Sequence, residues 1–434
     1  MNKLIKNATV VTMDADDRII ENGYIAIKDD RITYVGEELP ADFVAQVILD
    51  GRHKVVMPGL VNAHTHTPMV LLRSYADDLP LQEWLFDKIF PIEDELTAED
   101  VYWGSTLAVM EMIASGITCF ADMYYFMDEV AKVIHKTGIR ADLSRGLQCF
   151  DTEFDPMQDV RLLENEQLFK DWDGEGNGRI KVRLGPHSLY TCVPGYLQAC
   201  AGLAEKLNIG MHIHVAETLK ESQECFEKYG KTPVQHLYDL GIFKANTLAA
   251  HCVHVSEEDM DILKQNNVNV VYNPGSNLKL GSGITPIGSM MDKGLNIALG
   301  TDGCASNNNG NMFEEMHLAA IVSKGVYKDP TLVKAGEVLK MATVNGAAAL
   351  NLSQETGMIQ PGMKADLIMV NMDKPHLYPL HDVASSLVYS AQAADVETVL
   401  VDGQILMDKG EFKTIDYQEV IYHLKKISDR LFKR

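Results

Sequence analysis

Short apolar runs alternate with amphipathic segments through the middle of the chain. The first run leads into His64, and seven further runs of strand length cover residues 116–123, 140–147, 180–186, 209–215, 247–251, 268–272 and 295–300. Helical patterns lie between or after them, for example at 98–114, 195–207, 256–265 and 332–350. Strand and helix in alternation predict a parallel sheet, and eight units predict a closed (β/α)₈ barrel. The alternative is an open, doubly wound sheet, but the Gly-x-Gly-x-x-Gly turn expected after an early strand of that fold is absent.

The two ends of the chain carry a different pattern, in which apolar and polar residues alternate as in antiparallel strands. It covers residues 3–12, 23–28, 31–35, 46–49 and 54–56 near the N-terminus, and 365–371, 396–401 and 404–407 near the C-terminus. Asp402-Gly403 supplies a hairpin turn between the last two runs. We therefore predict a small β-sandwich domain formed by residues 1–56 and 358–434, beside a barrel formed by residues 57–357. An amphipathic surface helix is expected over residues 417–434.

Composition and charge narrow the range of partners. With 46% hydrophobic and 23% charged residues, the chain is typical of a soluble globular protein. The formal net charge of -22 argues against nucleic acid and anionic membranes as partners, and no apolar run is long enough to span a bilayer. The seven cysteines are scattered and never have a Cys-x-x-Cys spacing, so we expect them to be reduced. The expectation is a cytoplasmic protein that forms a homo-oligomer.

Two histidines end the first barrel strand. His64 and His66 are separated by one residue, so their imidazoles point to the same face of a strand. A barrel of parallel strands keeps its reactive groups at this end of its strands. Two neutral imidazoles held side by side favour a divalent cation, although a pair of hydrogen-bonding histidines is the alternative. The remaining ligands must therefore come from other strand ends.

Three later strands also end in residues of ligand type. The strand at 209–215 contains His212 and His214, of which His214 lies closer to the rim and His212 is expected to pack one layer deeper. His251 ends the strand at 247–251 and is the inward candidate there, with His254 in the following loop. Asp302 follows the last strand, just before a glycine turn. Three imidazoles and one carboxylate suit zinc, with iron or another divalent ion as an alternative.

A single metal ion is the simpler expectation. A second ion bridged by a modified lysine would need a lysine at the end of a middle strand. The fourth strand offers Lys181 only near its start, and His187 follows its end. We therefore predict one divalent metal ion at the mouth of the barrel.

Several motifs resemble those of a known family. They are Pro58-Gly59-Leu60-Val61-Asn62-Ala63-His64-Thr65-His66, His214-Val215-Ala216-Glu217-Thr218, His251-Cys252-Val253-His254 and Gly300-Thr301-Asp302-Gly303. Together they resemble the amidohydrolase superfamily. Within it, Ala76-Asp77-Asp78-Leu79-Pro80-Leu81 with Trp84, Asn273-Pro274-Gly275-Ser276-Asn277-Leu278-Lys279-Leu280 and Ser306-Asn307-Asn308-Asn309 are similar to the 5-methylthioadenosine/S-adenosylhomocysteine deaminase family. The resemblance covers nearly the whole chain.

The resemblance implies a hydrolytic deaminase that acts on the adenine amine of 5'-methylthioadenosine, S-adenosylhomocysteine or adenosine. Asp302 would accept the proton of the attacking water, His251 would hold that water, and Glu217 would protonate the ring nitrogen beside the attacked carbon. The metal ligands implied are His64, His66, His214 and Asp302. The alternative substrates on the same frame are guanine, a pterin, cytosine and a chlorinated triazine.

The substrate contacts follow from the same resemblance. Glu93 would bind the ribose hydroxyls, although it could also belong to an exposed acidic helix start. Arg145 would bind a substrate carboxylate, with a structural ion pair to Asp142 as the alternative. His187 is expected to donate or accept a hydrogen bond from the substrate, and the segment at 75–90 to wall the pocket or cover it. A barrel without activity, retained as a binding protein, is the rival of another class, but none of the expected metal ligands is missing.

Overall fold

The computed structural model describes residues 1–39 and 43–432 of the 434-residue chain. The N-terminal part forms five strands: β1 (Lys3–Val11), β2 (Ile19–Lys28), β3 (Arg31–Gly36), β4 (Val47–Asp50) and β5 (Lys54–Pro58). β1 lies antiparallel to β2 and parallel to both β4 and β5. The alternation along β1 buries Ile5, Ala8 and Val10 completely, which places one face of the sheet on a hydrophobic core.

Eight parallel strands follow and pair in chain order: β6 (Leu60–Thr65), β7 (Ile117–Tyr124), β8 (Arg140–Leu147), β9 (Ile180–Pro186), β10 (Met211–Val215), β11 (Thr247–His251), β12 (Asn269–Tyr272) and β13 (Asn296–Leu299). The first strand also bonds to the chain just after the last one. Asn62 Oδ1 accepts the Thr301 N–H at 3.0 Å, and the His64 carbonyl accepts the Asp302 N–H at 3.0 Å. The predicted (β/α)₈ barrel is thereby confirmed.

Four C-terminal strands complete the second sheet: β14 (Leu367–Asn371), β15 (Val396–Val401), β16 (Gln404–Asp408) and β17 (Glu411–Phe412). β14 pairs antiparallel with β5, so both ends of the chain join one nine-stranded sheet. Ile5 and Ile25 from the N-terminal end share a separate hydrophobic core with Met369 and Leu400 from the C-terminal end. The expected β-domain from both chain ends is present, and its proposed boundaries at residues 57 and 358 stay a prediction.

Most helices cover the barrel. The α-helices are Leu81–Glu83, Phe90–Glu93, Ala98–Ala114, Met127–Thr137, Val160–Trp172, Glu175–Gly178, Pro194–Leu207, Leu219–Tyr229, Pro233–Asp239, Glu257–Gln265, Pro274–Lys279, Ile287–Asp292, Met312–Tyr327, Ala335–Met341, Val344–Ala349, Val383–Tyr389 and Tyr417–Phe432. A π-helix spans Trp84–Ile89, and 3₁₀-helices span Thr67–Leu72, Ile242–Lys244, Pro375–Leu377 and Ala393–Asp395. None of the helices in the described ranges is both long and apolar enough to cross a membrane.

One helix prediction needs correction, and the prediction of a C-terminal helix is confirmed over the residues that the structure describes. The single helix expected over 332–350 is two helices, because Thr343 leaves the helical conformation with φ -133° and ψ -93° and its hydroxyl donates to the Leu339 carbonyl at 2.6 Å. The C-terminal helix ends at Phe432, and residues 433–434 of the predicted helix lie outside the described residues.

A buried ionic cluster joins the barrel to the β-domain at the end of the barrel opposite the predicted metal ligands. Arg140, the first residue of β8, is 2% exposed. Its Nε donates to Asp366 Oδ2 at 2.9 Å, and its Nη2 donates to Asp402 Oδ1 at 2.5 Å. Since all three side chains are buried, each charge depends on the others for compensation.

Candidate active site and metal centre

The four predicted metal ligands converge at the C-terminal mouth of the barrel. His64 and His66 come from β6, His214 comes from β10, and Asp302 follows β13. All four residues are buried, and one ligand atom from each lies within 4.8 Å of the others. Asp302 Oδ1 lies 3.3 Å from His64 Nε2 and 3.2 Å from His66 Nε2. This is the one metal-ligand cluster found among the residues that the structure describes.

The donor atoms fit a divalent cation. His64 Nε2 is buried and makes no hydrogen bond to any part of the chain within residues 1–39 and 43–432. Although burial opposes ionisation, the imidazoles of His64 and His66 hold the pKa of Asp302 well below its usual range. Three imidazole nitrogens and one ionised carboxylate are ligand types that zinc takes in proteins.

The orientation of two ligand rings is fixed by backbone carbonyls. His66 Nδ1 donates to the Met123 carbonyl at 2.6 Å, and His214 Nδ1 donates to the His187 carbonyl at 2.8 Å. Because the proton then sits on Nδ1, the lone pair of each Nε2 faces the cluster. The two Nε2 atoms, from His66 and His214, are 3.4 Å apart.

The second oxygen of Asp302 is held by two hydroxyls. Ser276 Oγ donates to Asp302 Oδ2 at 2.6 Å and Ser306 Oγ donates to it at 3.0 Å. Sequence reasoning assigned no role to either serine. Both serines lie in motifs that resemble the family, at 273–280 and 306–309. Their place in these motifs was the feature of the sequence that could have indicated a role in the site.

His251 lies beside the cluster and outside the four-residue ligand set. Its Nδ1 donates to Asn277 Oδ1 at 2.7 Å, and Asn277 is fixed in turn because its Nδ2 donates to Thr285 Oγ1 at 3.2 Å. His251 Nε2 then carries the lone pair and lies 3.9 Å from Glu217 Oε2. The positive φ of His251, 73°, turns the chain at the end of β11. This arrangement leaves one imidazole nitrogen available to accept a hydrogen bond in the site.

Glu217 stands on a turn that is held by a second carboxylate. Ala216 has a φ of 49°, in the left-handed region, and its N–H donates to Glu221 Oε1 at 3.2 Å. The N–H of Glu217 donates to Glu221 Oε2 at 2.8 Å. Glu217 itself is 3% exposed, and this burial raises its pKa. A carboxyl of this kind retains its proton closer to neutral pH and can act as an acid.

An open cavity lies above these groups. Its floor contains His66, His214, His187, Glu217, His251 and Asp302, and apolar side chains such as Trp84 and Phe90 form much of its wall. Burial lowers the pKa of His187 to about 3, and its Nδ1 lies 3.0 Å from Thr191 Oγ1. His187 therefore presents a neutral imidazole to the cavity.

Glu93 lines the same cavity with a buried carboxyl. The residue is 7% exposed, and burial raises its pKa to about 7. Its Oε1 is buried and has no hydrogen-bond partner within the described ranges. A buried polar atom without a partner is rare, so this oxygen is a candidate for ligand binding.

Arg145 does not lie in this cavity. It lines an adjoining cavity, which shares Glu93, Tyr125 and Gln148 with the first. Its Nε donates to Glu164 at 2.8 Å, whereas Asp142 pairs with Arg183 at 2.5 Å. The alternative ion pair between Arg145 and Asp142 is therefore wrong. Two strand residues an odd number apart point to opposite faces, which excludes the contact.

Comparisons with known proteins agree with this geometry. Residues 55–406 match the model of the amidohydrolase family. A 5-methylthioadenosine/S-adenosylhomocysteine deaminase of Thermoanaerobacter pseudethanolicus is 51% identical, with all of both chains covered. A 5'-deoxyadenosine deaminase of Methanosarcina acetivorans is 48% identical over 99% of this chain and 98% of the relative.

A solved structure is also similar to this chain over its full length. The zinc-bound adenosine deaminase of Xanthomonas campestris is 33% identical and has a TM-score of 0.94, with 100% of this chain and 99% of that chain covered. The barrel, the converging histidines and aspartate, and the match over most of the length agree with one another. The chain belongs to the amidohydrolase family.

Proposed function

We propose that this protein is a metal-dependent deaminase that hydrolyses the adenine amine of 5'-modified adenosines. The substrates proposed are 5'-methylthioadenosine, S-adenosylhomocysteine and 5'-deoxyadenosine, which the names of its relatives specify, with adenosine itself as a further candidate. The observation that carries the proposal is the buried Glu217 carboxyl, whose pKa is raised and which lies beside His251 above the His64, His66, His214 and Asp302 cluster.

These residues account for each proton in the reaction. A divalent ion, with zinc the proposed metal, would be held by His64, His66, His214 and Asp302 and would lower the pKa of a water molecule toward neutrality. His251 Nε2 accepts a hydrogen bond from the attacking water, and Asp302 takes one of its protons as the water oxygen bonds to the carbon that carries the amine. Glu217 donates its proton to the neighbouring ring nitrogen, which keeps negative charge off the purine.

The amine leaves as ammonia when the two carboxyl groups transfer protons in the opposite direction. Asp302 returns its proton to the amine nitrogen as the carbon–nitrogen bond breaks, and ammonia leaves. Glu217 recovers a proton from the hydroxyl on the same carbon, which becomes the carbonyl of the inosine-type product. One water is consumed and one ammonia is formed, and both carboxyl groups return to their starting states.

The walls of the two cavities suggest how the nucleoside is held. We assign the unpartnered Glu93 oxygen to the ribose hydroxyls and the neutral His187 to the purine ring. The 5' substituent would then extend toward the adjoining cavity, where Arg145 can turn from the half-exposed Glu164 to a substrate carboxylate. An uncharged methylthio group would contact only the apolar side chains of the wall.

A substrate panel tests the proposal. Zinc-loaded protein is mixed with the three 5'-modified nucleosides, adenosine, guanine, cytosine, a pterin and a chlorinated triazine. Loss of adenine absorbance and release of ammonia are followed for the amines, and release of chloride is followed for the triazine. Turnover of at least one adenosine derivative is expected. Turnover of guanine or a triazine alone would contradict the proposal, and no turnover with stoichiometric zinc would favour a binding protein.

Glu217→Gln supplies the mechanistic control. Because glutamine cannot donate the proton, kcat is expected to fall by about 100- to 10,000-fold. Bound zinc should stay stoichiometric, since Glu217 is not among the four clustered ligand residues. Glu224→Gln is the matched variant, because Glu224 is an exposed carboxylate on the adjacent helix Leu219–Tyr229 and should leave kcat unchanged.

Two further expectations belong with this proposal. We propose a cytoplasmic location and a homo-oligomeric assembly. Localisation of a tagged chain and the mass of the purified protein by light scattering would test them.

A further inference from the structure

One of the three histidines in the metal cluster has an unusual hydrogen-bond partner. His66 and His214 each donate their Nδ1–H to a backbone carbonyl, that of Met123 or that of His187. His64 Nδ1 instead lies 2.7 Å from Nε2 of His212, and the two rings meet edge to face with centroids 4.9 Å apart. Both side chains are completely buried.

The proton positions in this contact follow from the next residue along. Ser144 Oγ donates to the Asp122 carbonyl at 2.9 Å, which uses its single proton. At 3.4 Å from His212 Nδ1, the same oxygen can then only accept. His212 therefore carries its proton on Nδ1 and offers the lone pair of Nε2 to the Nδ1–H of His64. This order leaves the lone pair of His64 Nε2 pointing at the cluster.

We propose that His212 is a positioning residue for the metal centre, which fixes the tautomer and the ring plane of His64. It does so because its place on β10, two residues before His214, puts both imidazoles on the inner face of the barrel. His214 reaches the cluster at the rim, and His212 reaches the far side of His64 one layer below. The His-x-His pair of β10 thus contributes one ligand and one support to the same ion.

Among the described residues, His64 Nδ1 makes its hydrogen bond to His212 Nε2. Without His212, this buried Nδ1–H would lose that acceptor, and a buried donor without a partner is unfavourable. The ring could avoid that penalty by turning or by moving its proton to Nε2, and either change removes the ligand lone pair. The proposal therefore predicts weaker metal binding, independent of which nucleoside the enzyme takes.

The experiment measures zinc retention in the full-length, zinc-loaded protein. Each variant is equilibrated with graded concentrations of a chelator, and the zinc that remains bound is determined by elemental analysis. His212→Leu, which removes the acceptor, is expected to lower zinc affinity by about 10- to 100-fold, the usual effect of losing the partner of a ligand histidine. His212→Gln places an amide oxygen near the position of Nε2 and should recover most of the affinity.

His236→Leu is the matched control. His236 is also a buried histidine, 8% exposed, but it stacks on Tyr229 away from the cluster. Its replacement should leave zinc affinity unchanged even where it lowers the unfolding temperature. The absorption spectrum of the cobalt-substituted protein gives a second readout, since a reoriented His64 changes the ligand field and a loss of packing does not.

Three outcomes overturn the proposal: wild-type zinc affinity in His212→Leu, equal losses in His212→Leu and His212→Gln, or an equal loss in His236→Leu. If His212→Leu does not fold, Ser144→Ala decides, because it keeps His212 in place and removes the acceptor of the His212 proton, together with the hydrogen bond to the Asp122 carbonyl. A measurable loss of zinc affinity in Ser144→Ala supports the relay, and an unchanged affinity overturns it. Failure of the deaminase proposal would alter none of these readings, since no substrate is used.

Discussion

Replacement of Glu93 by glutamine is expected to weaken substrate recognition and, at alkaline pH, to increase the stability of the free protein. Glu93 is buried, its Oε1 has no hydrogen-bond partner in the described parts of the chain, and burial raises its pKa from 4.5 to about 7. If the carboxylate accepts the ribose hydroxyls, glutamine keeps one acceptor and loses the charge. Each charge-assisted hydrogen bond contributes about 1.5–3 kcal/mol, so kcat/KM for a ribonucleoside should fall by about 10- to 100-fold.

The same substitution should stabilise the free protein at alkaline pH. The folded protein disfavours the ionised carboxyl, so this penalty is absent below pH 4.5, grows as pH rises, and is complete above about pH 7. The rise of the pKa corresponds to about 3 kcal/mol. Glu93→Gln is therefore expected to be more stable than the wild type at pH 8 by up to this amount, with no gain at pH 4.

Two assays check these expectations. Deamination is compared for adenosine and 2',3'-dideoxyadenosine, which lacks the hydroxyls, and urea unfolding is followed at pH 4 and pH 8. Glu83→Gln is the control, because Glu83 is an exposed carboxylate in the neighbouring helix. Equal losses of kcat/KM on both nucleosides would refute the ribose assignment. A stability gain that does not depend on pH would refute the electrostatic reasoning.

Three further predictions address other parts of the molecule. Arg145→Ala should lower kcat/KM for S-adenosylhomocysteine by about 10- to 100-fold and that for 5'-methylthioadenosine much less, since only the first has a carboxylate; steady-state kinetics on both substrates will tell. Asn277→Leu, which removes the acceptor for the His251 Nδ1–H, should reduce kcat by up to about 100-fold with zinc content and KM nearly unchanged. Arg140→Met leaves Asp366 buried without its cation and should cost about 3–5 kcal/mol in urea unfolding. Arg52→Met, which changes an exposed ion pair, should leave the unfolding curve nearly unchanged.

The sequence was most informative where local geometry decides the outcome. The pleat of a strand places His64 and His66 on one face regardless of what surrounds them, and the ends of parallel strands must meet at one mouth. Those two facts predict that the histidines and the aspartate at the strand ends meet, and the family resemblance implies which of them form the cluster of His64, His66, His214 and Asp302 that the structure contains. The barrel strands at 140–147, 180–186 and 247–251 were predicted with the observed bounds for the same reason.

The sequence was least informative about hydrogen bonds between side chains that lie far apart along the chain. The partner of His64 is His212, which lies 148 positions away, and the partners of Asp302 Oδ2 are hydroxyls from the helix Pro274–Lys279 and from the turn that contains Ser306. Many serines and histidines could satisfy such a bond, and only the packed fold selects between them. Arg145 illustrates the same limit, because its actual partner Glu164 lies on the next helix and gives no signal at the spacing of a strand.

The metal centre and the closure of the barrel are one structural feature. Two of the proposed ligands are His64 in the first barrel strand and Asp302 just after the last. They are brought together by the bonds that close the sheet: Thr301 N–H to Asn62 Oδ1 and Asp302 N–H to the His64 carbonyl. An open sheet would separate these two ligands by its whole width. A barrel that closes in the wrong register would shift Asp302 by at least one residue and turn its carboxylate to the other face. Correct closure is therefore a condition for metal binding, and a bound ion should in turn stabilise the closed barrel.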